Sequence, residues 1–131
     1  MEVKTILLAD YANISREGKL NVLGIFQEIS AANFPAIHPQ MQLVILWETS
    51  KAESGRQKEM EIQLRDADGG KMLSLNAEFT IPDGPSGRRI KGQHIIGLNM
   101  VKFEKPGTHA FHVLVGGDDK GSILFEVCKL K

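Results

Sequence analysis

The chain predicts an all-β fold, an antiparallel two-sheet β-sandwich of about eight strands with at most one short helical turn. Three observations carry this. Turn-forming clusters recur about every ten residues, and the segments between them favour a period of two. No window keeps the i, i+3, i+4, i+7 spacing of an amphipathic helix over three turns. The residues 1–131 form one domain, long enough to bury a core. A closed barrel is the alternative way to bury the same faces.

Strands are expected at about 3–12, 19–29, 41–49, 57–66, 71–81, 90–103, 109–116 and 122–130. Between the second and third, Ser30 to Gln40 can hold one helical turn, broken by Pro35 and Pro39. The fourth and fifth strands read as a hairpin. Met60, Ile62 and Leu64 alternate with polar residues, and so do Leu73, Leu75, Ala77 and Phe79. A two-residue type I′ turn at Asp68-Gly69 sets Leu64 against Leu73, Ile62 against Leu75 and Met60 against Ala77. A slip of one residue would set apolar side chains against polar ones.

The last three strands read as a meander, with turns at Pro106-Gly107 and at Gly116 to Gly121. Val101, Phe103, Phe111, Val113, Val115, Ile123, Phe125 and Val127 fall on one core face. Val115 is expected opposite Ile123, and Phe111 opposite Val127. The other face carries His94, Ile96, Leu98, Met100, His112, Leu114, Leu124, Glu126, Cys128 and Leu130. It is too apolar to stand in water uncovered, so a strand layer, the Ser30–Gln40 loop or a second chain should cover it. The first two strands also carry apolar residues on both sides, as strands do whose outer face is covered.

Composition narrows the classes of function. Sixteen basic residues balance sixteen acidic ones, which leaves no long-range field to draw nucleic acid or an anionic membrane. The single cysteine, Cys128, rules out a disulfide within the chain. Any zinc site would rest on histidines and carboxylates. The apolar run Ile6–Ala9 is too short for a signal-peptide core, and no stretch approaches a membrane span. The cytoplasm is the expected compartment.

Few motifs carry chemistry. Asp66-Ala67-Asp68-Gly69-Gly70 resembles part of a calcium loop, but Ala77 stands where the closing glutamate belongs. A hairpin turn accounts for the same residues. His109 and His112 are three apart on a strand and so point to opposite faces. In the meander register His112 lies across from Glu126, a pair able to titrate near neutral pH. No third group joins it, and a satisfied polar pair explains it better. Cys128 reads as a small packed hydrophobe. No Gly-x-Ser-x-Gly elbow is present, and the Gly116–Gly121 loop has two carboxylates where a phosphate would sit. The loop from Pro82 to Lys91 is more suggestive: Arg88, Arg89 and Lys91 could grip a carboxylate or phosphate, although charges flanking an apolar strand are common in solvated loops.

Two longer stretches carry a resemblance. One runs Ile6-Leu7-Leu8-Ala9-Asp10-Tyr11-Ala12, then Glu17 to Phe26, then Phe34-Pro35. The other is Pro106-Gly107-Thr108-His109-Ala110-Phe111-His112-Val113-Leu114-Val115. Together they resemble a family of small bacterial proteins known only as a domain of unknown function. The matching motifs are turns and strand patterns, so the resemblance implies a compact β-sandwich and transfers no catalytic residue.

The expected function is therefore a non-enzymatic binding or assembly module with no cofactor and no metal. Its partner would be another protein or a second copy of itself, giving a homo-oligomer, and neither nucleic acid nor membrane. The partner surface would be His94, Ile96, Leu98, Met100, His112, Leu114, Leu124 and Glu126. The alternative is a small-ligand or carbohydrate-binding sandwich using the end loops 30–40, 82–91 and 116–121, with Arg88, Arg89 and Lys91 as ligand contacts and an exposed Trp47 as stacking platform. A hydrolase or metal enzyme built on His112 and Glu126 is the remaining reading.

Overall fold

The computed structural model describes all 131 residues. Nine strands form two sheets: β1 (Glu2–Ile14), β2 (Leu20–Ile25), β3 (Glu28–Ala31), β4 (Ala36–Thr49), β5 (Gln57–Arg65), β6 (Lys71–Thr80), β7 (Ile90–Phe103), β8 (Gly107–Val115) and β9 (Asp118–Lys129). One 3₁₀ turn, Lys51–Glu53, is the helical content. The four-stranded sheet runs β2-β1-β4-β7 and the five-stranded sheet β3-β9-β8-β5-β6. The sandwich is as expected, with one strand more.

The added strand is β3, cut from the end of the expected second strand. The chain leaves β2, crosses through Phe26 and Gln27, and joins the opposite sheet, where β3 pairs parallel to β9. Every other pairing is antiparallel. Ser30–Gln40 holds no helical turn. It contains the end of β3, a cis Phe34–Pro35 bond and the start of β4.

The core lies between the sheets. Leu8, Met41, Leu43, Ile45, Leu98, Val101 and Phe103 face Met60, Ile62, Leu64, Phe111, Val113 and Phe125 across it. The β5–β6 register is the expected one, with Leu64 opposite Leu73, Ile62 opposite Leu75 and Met60 opposite Ala77. Its turn is longer than a type I′ turn. Asp66 accepts backbone N–H bonds from Asp68 (2.9 Å) and Gly70 (2.8 Å), and of the turn residues Gly69 alone takes a positive φ, +83°. That conformation costs glycine nothing and would strain a side chain.

The last three strands are not a meander. β7 is the edge of the four-stranded sheet beside β4, while β8 sits between β9 and β5 in the other. The β8–β9 turn is also tighter than expected: Val115 faces Asp118, and Phe111 faces Ile123. Phe111's partner thus moves by four positions, an even number. The inward set Phe111, Val113, Ile123, Phe125 and Val127 is unaffected, because side chains alternate with period two.

Candidate functional site

The expected partner face does not exist as one surface. On β7, His94, Ile96 and Leu98 point into the sandwich opposite Ile45, Leu43 and Met41, and Leu98 is only 4% exposed. Val101 and Phe103 on the same strand also point inward. Residues 98 and 101 cannot share a face on a regular strand. The phase changes at Met100, whose φ is +53°, and β4 changes phase with it around Pro39. Met100 is left outside. His112, Leu114, Leu124 and Glu126 belong to the other sheet and face outward there. The apolar residues on both parities of β7 serve one core through a change of phase.

The uncovered apolar surface lies on the β1–β2 hairpin, which folds back over the outer face of its own sheet. Two hydrogen bonds pin it: Ala12 N–H donates to Gln42 Oε1 (2.6 Å), and Gln93 Nε2 donates to the Gly18 carbonyl at the tip (3.4 Å). Beneath the hairpin, Ala9 and Val44 are fully buried although they lie on the outer side. This explains why the first strands are apolar on both sides. Tyr11, Leu23 and Ile25 point away from the sheet and are 46, 64 and 59% exposed. Tyr11 and Leu23 are direct cross-strand partners.

The loop from Pro82 to Lys91 stands at the end of the sandwich where β4 finishes. Ile81 and Ile90 pin its two ends in a small apolar cluster with Trp47. Its one carboxylate, Asp83, accepts the Gly84 N–H and lies 3.8 Å from Lys51, whose Nζ also donates to the Gly84 carbonyl. Arg89 bonds Glu2 (2.9 Å) and Glu48 (3.2 Å). Pro85, Arg88, Arg89 and Lys91 line a cleft of about 490 Å³. A second cleft of about 470 Å³ lies beneath the hairpin tip, with Lys4, Thr5, Leu46, Glu48, Lys91 and Gln93 in its walls. Lys91 borders both.

The three expected end loops do not gather into one site. Residues 30–35 precede β4 and residues 82–89 precede β7 at the opposite end, where Thr49 pairs with Ile90. Trp47 is 3% exposed, so it is not a stacking platform. Hydrophobic alternation could not have revealed the second cleft, because the hairpin that roofs it reaches Gln93 from far away in sequence.

His112 and Glu126 do not pair. His112 Nδ1 lies 2.9 Å from Asp119, and Glu126 accepts a bond from Thr108 Oγ1 (2.6 Å). The shifted β8–β9 register accounts for both. His109 is buried, with Nδ1–H donating to the Gly107 carbonyl (2.9 Å) and its ring against Phe103 and Phe125. The Cys128 thiol is pushed up by burial and by the carboxylates of Glu28 and Glu126, which keeps it protonated and a poor nucleophile. Asp66 is occupied by its own turn, and Asp68 pairs with Lys105. No three His, Cys, Asp or Glu side chains converge as a metal cluster would need. No helix is long and apolar enough to cross a membrane.

A family profile described as a family of unknown function, DUF6941, matches residues 4–128. No curated protein matches the sequence. Among solved structures, the chain is similar to the alkylpurine DNA glycosylase AlkC of Pseudomonas fluorescens bound to DNA containing an abasic site analog. The identity is 18%, the TM-score 0.53, and the alignment covers 77% of this chain and 27% of that one. The likeness is one of fold, and the chain spans about a quarter of the other protein's length. It removes the ground for excluding nucleic acid as a partner, since a related fold is part of a protein solved with DNA. A net charge of zero governs only the distant field and does not cancel a local cluster such as Arg88, Arg89 and Lys91.

Proposed function

Because the chain belongs to DUF6941, a family of unknown function, its role has to be argued from its surface, and we propose that it is a non-enzymatic assembly module that pairs with a second copy of itself through β2. The observation that carries this reading is the character of the four edge strands. β7 carries Lys91 and Lys102, β6 carries Lys71 and Glu78, and β3 carries Glu28. Such charges protect an edge against pairing with another chain. β2, Leu20 to Ile25, has none. Its outward side chains Leu23 and Ile25, with Tyr11 beside them, are exposed. Antiparallel pairing of two copies of one edge is self-complementary, as a two-fold interface requires.

Light scattering on the wild type and on Leu23→Asp tests the proposal. The expected result is a concentration-dependent dimer for the wild type and a monomer of unchanged stability for Leu23→Asp. A wild type that stays monomeric at the concentrations used for NMR would overturn it.

A further inference from the structure

The geometry points to a phosphate-binding site at Arg88, Arg89 and Lys91, where a phosphate monoester or phosphodiester would sit in the cleft these residues share with Pro85. This site is separate from the β2 edge and does not depend on it. Three features of the loop favour an anion. First, Asp83 is turned toward Lys51 and lines neither cleft. Second, neither Arg88 nor Lys91 has a carboxylate within 4.0 Å, so both cations are available. Third, Glu2 and Glu48 hold Arg89 from one side, which fixes the guanidinium in place.

A guanidinium offers parallel N–H donors that match two phosphate oxygens, and an ammonium adds a point charge beside them. The loop is anchored at both ends, because Ile81 and Ile90 are buried there and Gly84 lies against Ile90. Less ordering entropy is then lost on binding. The adjoining cleft beyond Lys91 would take the rest of the ligand. Thr5, Gln93 and Glu48 offer hydrogen bonds there, and Leu46 offers an apolar contact.

The phosphate could belong to a free phosphorylated metabolite or to the backbone of a nucleic acid. An NMR titration separates the two, using inorganic phosphate, thymidine monophosphate and oligothymidylate while following the amides of Gly87 to Gly92. Saturable shifts at these amides are expected. Arg88→Ala/Lys91→Ala should weaken binding about tenfold or more, and Lys102→Ala, at the far end of β7, should leave it unchanged. Equal affinity for the monophosphate and the oligomer identifies a free phosphate ligand. Tighter, steeply salt-dependent binding of the oligomer identifies a backbone. No shift with any of the three probes overturns the site, as does unchanged affinity in a folded double variant.

Discussion

Trp47 lies directly over Gly92, its cross-strand partner, and a Cβ at Gly92 would stand 2.0 Å from Trp47 Cζ2. The indole occupies the volume that a side chain would need. Ile81 and Ile90 pack around it, and the rings of Phe79 and His94 lie 5.6 and 6.2 Å away. This cluster closes the end of the sandwich next to the phosphate-site loop.

Gly92→Ala should therefore destabilise the domain by about 3 kcal/mol, since neither the backbone nor the packed indole can yield easily. Gly97→Ala on the same strand has nothing within 4 Å of its new Cβ. It should change stability by less than about 1 kcal/mol. Urea unfolding followed by Trp47 fluorescence measures both.

Leu98→Ala should cost about 2–5 kcal/mol, because it opens a cavity among Met41, Val101 and the facing sheet. Leu124→Ala, at a residue 61% exposed on the outer face of the other sheet, should cost under about 1 kcal/mol. If the two costs were equal, the change of phase at Met100 would be wrong. Denaturant midpoints at constant m-value decide this.

His94 gives the domain a dependence on pH near neutrality. Burial among Phe79 and Trp47 holds its pKa below the ordinary 6.5, and its Nε2 has no hydrogen-bond partner. The unfolded chain thus binds a proton more readily than the folded one. Stability should be full above pH 6.5 and should fall as the pH drops below it. His94→Leu should flatten that fall, and a comparison of urea midpoints at about pH 7.5 and about pH 5.5 reads it directly.

Glu53 acts at lower pH. Its carboxylate accepts hydrogen bonds from Lys58, from Thr49 and from the Met1 amino group, and its pKa is lowered from 4.5 to about 2. The folded state binds the proton less readily here. The stabilisation is present above pH 4.5 and is lost as the pH falls through about 2. Glu53→Gln should lower stability at neutral pH and reduce the acid slope between those values. The difference between wild type and variant isolates Glu53 from the other carboxylates.

Much of the architecture was legible along the chain because strand periodicity is local. The β5–β6 register could be read from Met60 to Leu75, since a slip of one residue would have buried Glu61 or Gln63. The inward set on β8 and β9 can be read as well, because moving the partner of Phe111 by four positions keeps every side chain on its own face. Strand β3 gives no hairpin signal along the chain, because its four residues pair parallel to a strand almost a hundred residues away. Of the candidate contacts, Arg88, Arg89 and Lys91 do share one cleft, whereas the eight-residue partner face is divided between the two sheets.

Alternation and turn chemistry act between near neighbours, so the order of residues along the chain is enough to specify a β-sandwich, the inward residues of several strands and the place of the cationic loop. Three features emerge only once the chain is folded: β7 joins β4 and leaves β8, β4 and β7 change phase at Pro39 and Met100, and the first hairpin roofs its own sheet. Those outcomes depend on which distant strands bury each other's side chains, and no local pattern encodes that choice.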